Sequence, residues 1–325
     1  MFKKLIVLMI LMSMFSIGTL YALQAADLQR YNDRRAEEGF QIISEFNESL
    51  LMRRVITNYI NAVGVHEGEI LVSLDDNSDE SLKEEILALL GEDADLVRFF
   101  DVVFTIPMGP RMLTEEELSE LENPYLQGGF LEPYFVESSL LEPRSSMIRM
   151  GSVVHIAGGA WTVGSPPTFD DRFFRTANHG ALLDYHPVFD SIIPIGRVDR
   201  WAFGGRSGDS ARVNMTTSGR WIRHSLTNLN GFMPPPGSRV SAHTGFSGIV
   251  SGEIAFHDFS FSKLDVHNRP INLSGMTMVF MRTQLGDSGS ALVSGDTAVG
   301  ILSIGGVRVN GLEATIFTPI RNIPF

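Results

Sequence analysis

A serine between two glycines near the end of the chain has the residue type and setting of a catalytic nucleophile. Residues 286–290 read Gly-Asp-Ser-Gly-Ser and precede an apolar run at 291–293. On a tight loop between two strands the hydroxyl of Ser288 is exposed, and the N–H groups of Gly286 and Ser288 can point at one oxyanion. Glycine, aspartate and serine also build ordinary turns, so a polar hairpin turn is the alternative. A histidine and a carboxylate elsewhere in the chain decide between the two.

A histidine with suitable neighbours occurs earlier in the chain. Residues 176–181 read Thr-Ala-Asn-His-Gly-Ala and directly follow a strand-like run. At the end of a strand, His179 can offer one ring nitrogen to a serine hydroxyl and the other to a carboxylate. A merely solvated loop histidine is the alternative. This segment therefore supplies a candidate general base.

Three aspartates compete to orient that histidine. Asp209 precedes the small and apolar residues Ser-Ala-Arg-Val and follows a glycine-rich loop. Asp190 comes soon after His179, and Asp199 lies among arginines. We expect Asp209 to take the role, with Asp190 and Asp199 as rivals.

Together these segments resemble the trypsin-like serine proteases. Thr-Ala-x-His before Gly-Ala is similar to the family's histidine segment, and Gly-Asp-Ser-Gly is similar to its nucleophile segment. The order His179, Asp209, Ser288 is the family's order, with separations of 30 (209−179) and 79 (288−209) residues that resemble compact bacterial secreted members. The resemblance covers roughly residues 147–325. Two departures are the missing cysteine beside the histidine and Ser290, where a second glycine is usual.

The resemblance also implies a substrate-binding strand. Ser303, Ile304 and Gly305 are similar to the strand that lines the primary specificity pocket, whose serine hydrogen-bonds the buried aspartate and whose backbone pairs with the substrate. Arg282 falls where the resemblance puts the base of that pocket, and a surface arginine is the alternative. Residues 315–320 resemble the family's last strand before its C-terminal segment.

The second half of the chain has the pattern of an all-β fold. Short strand-like runs at 153–156, 160–163 and 172–176 alternate with turn residues, and no long helix is indicated through residue 325. The segment 229–237, rich in proline and glycine, looks like a linker. The resemblance makes this an all-β pair of six-stranded antiparallel β-barrels, barrel one at about 147–228 and barrel two at about 237–325.

A small α+β region, residues 27–143, precedes the barrels. Apolar residues at three- and four-residue steps predict one or two amphipathic helices over 27–63, stopped by Gly64. Strands are predicted at 69–74 and 99–106. A capping box at 81–84 predicts a helix ended by Gly91 with its apolar side chains inward, namely Ile86, Leu89 and Leu90. A second capping box at 114–117 predicts a short acidic helix, and the loop-rich segment 123–143 marks a domain boundary.

The first residues have the pattern of an export signal. Met-Phe-Lys-Lys opens the chain, and an apolar run follows from 5 to about 23. We expect residues 1–26 to be a signal peptide of a secreted or periplasmic protein, with an uncleaved membrane anchor as the alternative. The chain has no cysteine and forms no disulfide.

The amino-acid composition limits the classes of partner that the protein can bind. The net charge of −12 disfavours nucleic acid, because phosphate binding needs concentrated Lys and Arg. His243, His257 and His267 lack the spacing of a metal site, so we predict neither metal nor cofactor.

The resemblance implies a secreted serine endopeptidase that acts on proteins or peptides through a Ser-His-Asp triad. It also implies that the region before residue 143 is a pro-segment, a folding aid or intramolecular inhibitor removed from a zymogen by cleavage near Arg144 or Arg149. An attached interaction module is the alternative for that region. The alternative for the whole chain is a non-catalytic protein that uses a protease fold for binding.

Overall fold

The computed structural model describes most of the chain, with gaps in the first half. The described residues are 29–47, 60–66, 68–74, 80–104, 111–112, 114, 147–179, 182, 184–190, 193–205, 208–215, 221–264 and 270–325. The predicted export segment, the predicted acidic helix after Thr114 and the predicted boundary at 123–143 lie outside them. Within those ranges, no helix is long and apolar enough to cross a membrane.

The elements follow one another in this order: α1 (29–47), β1 (Ile60–His66), β2 (Glu69–Leu74), α2 (Glu80–Leu90), a 3-10 turn (Gly91–Leu96), β3 (Val97–Phe99), β4 (Val102–Phe104), β5 (Arg111–Met112), β6 (Met147–Arg149), β7 (Val153–Ile156), β8 (Gly159–Thr162), β9 (Phe173–Thr176), β10 (Pro187–Asp190), β11 (Ile193–Phe203), β12 (Asp209–Asn214), β13 (Trp221–Arg223), β14 (Arg239–His243), β15 (Ile249–Leu264), β16 (Pro270–Phe280), β17 (Ala291–Ser294), β18 (Thr297–Val309), β19 (Leu312–Pro319) and a 3-10 turn (Ile320–Asn322).

The first barrel is an antiparallel sheet in the order β8-β7-β10-β11-β12-β9, with β5 added beside β8. Backbone bonds close the ring after β8. Gly164 N–H donates to the carbonyl of Arg175 at 2.9 Å, and Arg175 N–H donates to that of Ser165 at 2.9 Å. Alternate residues of each strand point inward, and the fully buried Trp161 and Phe174 occupy the centre.

The second barrel has the order β14-β17-β18-β19-β16-β15, and β14 pairs again with β15 to close the ring. All its pairings are antiparallel. Leu292, Leu302 and Phe317 are fully buried in its core. The predicted architecture of two six-stranded antiparallel barrels is therefore confirmed. The segment 224–238 between them contains no strand.

The N-terminal strands continue the sheet of the second barrel. β1 pairs antiparallel with β15, with Ala62 opposite Phe261, and β4 pairs with β18, with Phe104 opposite Val307. Val102 is buried in the same apolar cluster as Phe261. The α+β region and barrel two thus share hydrogen bonds and part of a core.

The predicted helix over 27–63 is wrong in its last part, because Ile60 to Val63 belong to β1. The apolar residues here read equally well as a helical face, and the pairing with β15 decides in favour of a strand. Gly64 does not stop a helix but lies within β1, where an added Cβ would meet the ring of Phe259 at 3.0 Å. A one-residue irregularity in the β1–β15 pairing falls at the same place.

Of the remaining local predictions, some are confirmed and others are wrong. The strand at 69–74 and the helix ending before Gly91 are confirmed. Leu89 was expected to face inward but is 44% exposed, whereas Ile86 and Leu90 are buried. The single strand expected at 99–106 is two short strands, since the chain breaks its pairing at residues 100–101 between β3 and β4. β3 pairs with β2 and β4 with β18, so one straight strand could not serve both partners.

Candidate active site

His179 and Asp209 lie in contact where the neighbouring strands β9 and β12 of the first barrel end and begin. His179 comes three residues after β9 ends, and Asp209 is the first residue of the neighbouring strand β12. Nδ1 of His179 is 2.6 Å from Oδ2 of Asp209, and both side chains are buried. The two atoms are not aligned for a hydrogen bond, and Nε2 of His179 has no hydrogen-bond partner among the described residues. Catalytic hydrogen bonds are often poorly aligned before a substrate binds.

The backbone around His179 holds the other carboxylate oxygen. Oδ1 of Asp209 accepts hydrogen bonds from the N–H of Asn178, at 2.7 Å, and from the N–H of His179. The N–H of Asp209 itself donates to Oγ1 of Thr318 at 3.0 Å. A buried carboxylate is stable as an anion only when such donors replace water. The carboxylate is thus fixed on the ring side that faces away from Nε2.

The rival aspartates have other positions. Both oxygens of Asp199 accept from the guanidinium of Arg212, at 2.8 and 2.9 Å, in an ion pair between β11 and β12. Asp190 ends β10 opposite Ile193. Asp209 is the aspartate that the structure brings to the histidine.

The imidazole is supported by an aromatic ring. Trp161 stacks on His179 with 5.2 Å between ring centroids and 27° between planes. Asn178 Oδ1 accepts from the N–H of Leu182 at 2.8 Å and so closes the turn that carries the histidine. His179 itself has φ of 51°, a left-handed conformation that costs free energy for a residue with a Cβ. The sequence does not indicate that Trp161 belongs to this site, because the run Ala-Trp-Thr-Val predicts only a strand there.

The nucleophile loop, residues 284–290, leaves two N–H groups free beside the serine. The N–H of Asp287 donates to Gln284 O, that of Gly289 to Leu302 O and that of Ser290 to Asp287 O. The N–H groups of Gly286 and Ser288 donate to no acceptor in the described part of the chain. These are the two N–H groups that the sequence predicted for an oxyanion hole. Gly286 and Gly289 both have φ of 94°, which only glycine adopts easily.

This loop packs directly on the segment that leads to the histidine. Thr162 N–H donates to Ser288 O at 2.8 Å. A Cβ on Gly289 would lie 2.1 Å from Oγ1 of Thr176 and 3.0 Å from the nitrogen of Ala177. Residues 176 and 177 precede His179 by two or three positions, so the loop of Ser288 lies against the segment that leads to His179. No hydrogen bond among the described residues joins Ser288 to Nε2 of His179.

The carboxylate of Asp287, which lies next to Ser288 in the chain, is bound by a turn of the second barrel. The turn is residues 244–248, which join β14 to β15 and which we call the hairpin tip. Its residues Phe246 and Ser247 donate to Asp287. The run Gly-Phe-Ser-Gly at 245–248 has only the composition of an ordinary turn. No local signal connects this turn with a residue 40 positions away.

The predicted substrate-binding residues have different surroundings. Ser303 and Ile304 are buried in β18. Ser303 Oγ lies 2.8 Å from Oγ1 of Thr318, and no hydrogen bond among the described residues joins it to the carboxylate of Asp209. It reaches that aspartate only through Thr318, which differs from the direct bond that the resemblance implied.

The wall opposite Gly305 is formed by a threonine. Arg282 is exposed, between the buried Met281 and Thr283. A Cβ on Gly305 would lie 2.4 Å from Oγ1 of Thr283, whose hydroxyl is 2.8 Å from that of Thr315. The residue of this segment that faces Gly305 is therefore the neutral Thr283, and Arg282 is exposed as a surface arginine would be.

Of the three histidines considered for a metal site, His243 and His257 are partly buried. Burial lowers the pKa of His243 and is the main cause of the lowered pKa of His257, so both favour the neutral form. Within the described residues no group of three or more His, Cys, Asp or Glu side chains is arranged to hold a metal ion. His267 lies outside those residues.

Comparison with known proteins gives structural neighbours alone. No family model matches the chain, and no curated protein does. The structural neighbours are chymotrypsin-fold bacterial serine proteases.

Chymotrypsin from Cellulomonas bogoriensis is 19% identical with a TM-score of 0.44, over 55% of this chain and 93% of that one. Protease A of Thermobifida fusca is 19% identical with a TM-score of 0.43, over 55% and 94%. The Nocardiopsis protease NAPase is 22% identical with a TM-score of 0.41, over 54% and 93%. Likeness at this level concerns the fold, so an activity has to be argued from the side chains described above.

Proposed function

We propose that the protein is an exported serine endopeptidase that cleaves peptide bonds through an acyl-enzyme. The observation that carries the proposal is the contact of 2.6 Å between His179 and the buried Asp209, next to a serine loop with two free N–H groups. Nucleophile, base, orienting carboxylate and oxyanion donors then all occur at the junction of the two barrels. This set of four is the machinery of acyl transfer through a serine, and the strand at residues 303–305 favours an extended peptide over an ester as the substrate.

Each residue has one chemical role. His179 takes the proton of Ser288 as the serine oxygen attacks the substrate carbonyl, and it later gives a proton to the leaving amine. Asp209 keeps the ring orientation and stabilises the imidazolium. The N–H groups of Gly286 and Ser288 bind the oxyanion, where one donor contributes on the order of 10²- to 10³-fold in rate. Water then hydrolyses the acyl-enzyme.

Substrates are expected to bind as an added strand along residues 303–305. The backbone of an extended peptide pairs with this strand and brings its scissile carbonyl to Ser288. The buried hydroxyls of Thr283 and Thr315 lie beside the strand and favour an uncharged side chain at the cleavage site. Proteins and peptides are therefore the substrate class.

The test compares Ser288→Ala with wild type. We expect the variant to lose roughly 10⁴-fold or more in peptide hydrolysis and all labelling by a fluorophosphonate, because the nucleophile is gone. Ser294→Ala is the matched control, since Ser294 ends β17 a few residues further on and takes no part in the site. Equal hydrolysis by Ser288→Ala and wild type would refute the assignment. A wild-type protein that neither hydrolyses nor labels would favour the non-catalytic binding protein instead.

We propose further that residues 27–143 act as a pro-region that assists folding. A two-barrel fold has many non-local contacts and forms slowly, and the pairing of β1 with β15 offers barrel two a partner during folding. Mass measurement of the exported protein tests removal of the region. A species beginning near residues 145–151 is expected. A species that keeps β1 would favour the attached interaction module.

A further inference from the structure

The fully buried carboxylate of Asp287 has four hydrogen-bond donors and, among the described residues, no cation. Oδ1 accepts from the N–H of Phe246 at 2.9 Å and from that of Ser247 at 3.1 Å. Oδ2 accepts from the hydroxyl of Ser247 at 2.5 Å and from the N–H of Gln284 at 3.0 Å. An ionised carboxylate without water is costly unless its lone pairs are satisfied, and these four donors satisfy them. Three of the four belong to the hairpin tip.

The backbone of the hairpin tip is held in shape by hydrogen bonds of its own. Both the N–H and the hydroxyl of Thr244 donate to Gly248 O at 2.8 Å, so two hydrogen bonds close the turn. The turn therefore presents the N–H groups of residues 246 and 247 in a fixed direction. Donors that are already oriented lose little entropy when they bind the carboxylate.

A second connection joins the hairpin tip to the loop backbone. Gly245 N–H donates to Oγ1 of Thr162 at 3.2 Å, and that hydroxyl donates to Gly286 O at 2.8 Å. The ring of Phe246 covers Gly286 so closely that an added Cβ would lie 2.4 Å from it. The hairpin tip thus holds the loop at residue 286 and at residue 287. The peptide unit that joins these two residues lies between the two oxyanion donors, the N–H groups of Gly286 and Ser288.

We propose that Ser247 is a positioning residue, and that the hairpin tip holds the N–H groups of Gly286 and Ser288 in their oxyanion-binding arrangement. The inference rests on the proposed function and concerns how that site is switched on. Because Asp287 is already satisfied, the site forms without a newly freed α-amino group and without a cation. The oxyanion-binding arrangement is then already present before any cleavage of the chain.

The experiment measures kcat and KM for Ser247→Ala on a peptide substrate. The variant leaves one oxygen of Asp287 short of a donor, and we expect kcat to fall about tenfold or more while KM changes little. An oxyanion contact is made mainly in the transition state, so its loss appears in kcat. Ser247→Thr keeps the hydroxyl and should recover most of kcat.

Ser241→Ala is the matched control, since Ser241 lies on β14 in the same hairpin and, within the described ranges, its hydroxyl bonds only to that of Ser251, at 2.8 Å. Wild-type kinetics for Ser247→Ala would overturn the inference. An inactive wild type would instead overturn the proposed function, so the two failures are distinguishable.

Acetylation of the active protein tests the part played by the α-amino group. Lys263 is the one lysine after residue 147, so acetylation of a species that begins near residues 145–151 modifies few amines. We expect kcat to survive acetylation, with the Lys263→Arg variant as the control for modification of that side chain. Loss of kcat in both proteins would show that Asp287 needs an α-amino partner and would overturn the inference.

Discussion

Thr318 connects the proposed catalytic aspartate with the proposed substrate-binding strand. Its Oγ1 accepts from the N–H of Asp209 at 3.0 Å and lies 2.8 Å from Oγ of Ser303. All three residues are fully buried. A hydroxyl that both donates and accepts can satisfy both neighbours at once, which an aliphatic side chain of the same shape cannot.

We therefore expect Thr318→Val to lower kcat/KM by about tenfold, because the N–H of Asp209 and the hydroxyl of Ser303 lose a buried partner. Steady-state kinetics well below the unfolding temperature measures this, together with a thermal unfolding curve. Thr318→Ser keeps the oxygen and is the control. Full activity in a folded Thr318→Val protein would mean that the orientation of Asp209 does not depend on this hydroxyl.

At the residue scale, sequence reasoning finds what is locally encoded. The segments around His179, Asp209 and Ser288 could be identified because each combines a reactive side chain with the small residues that its loop requires. Thr318 and Ser247 could not, because they act across 109 and 40 positions and are ordinary strand and turn residues in their local context. Their roles depend on barrel closure, which no local pattern specifies.

At the element scale, the predictable elements are those whose pattern has one reading. α2 and the strands β7, β8 and β9 of the first barrel have clear caps, turns or β-branched runs, and they occur where expected. The helix predicted over residues 60–63 is wrong. These residues satisfy the helical and the strand periodicity alike, and the pairing of β1 with β15 that decides between them is a tertiary effect. The strand β15 is long and extends beyond the barrel, so it can pair with β1 as well.

The approach of two elements explains why the site forms at the junction of the barrels. A Cβ on Gly164, just after β8, would lie 2.4 Å from Gly289 O and 2.6 Å from Arg175 O. Backbones approach this closely only where a side chain is absent. The serine loop of barrel two can therefore lie against the strand ends of barrel one that carry His179 and Asp209.

At the scale of the whole molecule, Arg175 is a buried cation that connects the barrels with the segment between them. Its guanidinium donates to the carbonyls of Pro166 and Leu229, at 3.1 and 3.4 Å, and to Asn230 Oδ1 at 3.0 Å. It also donates to Phe325 O at 3.3 Å. Burial, with the nearby Arg212, lowers the pKa of Arg175 to about 10. Because this pKa lies below the value in the unfolded chain, burying the charge opposes folding at every pH below about 10, and the hydrogen bonds must offset that cost.

Arg175→Met keeps the length of the side chain and removes all the donors. We expect a loss of about 3 kcal/mol in the free energy of unfolding, because several buried oxygens lose their partner. Arg172→Met is the matched control, since Arg172 is three residues away and forms an exposed ion pair with Asp170 at 2.6 Å, whose loss should change stability little.

The same variant should also uncouple the barrels. All three tryptophans, at 161, 201 and 221, precede the segment between the barrels, so their fluorescence follows the first barrel. Far-UV circular dichroism follows the whole chain, and the two denaturation curves should coincide in wild type and in the Arg172 variant. In Arg175→Met we expect them to separate. A stable Arg175→Met protein with coincident curves would mean that apolar packing alone joins the barrels, with the buried guanidinium contributing nothing to their cooperation.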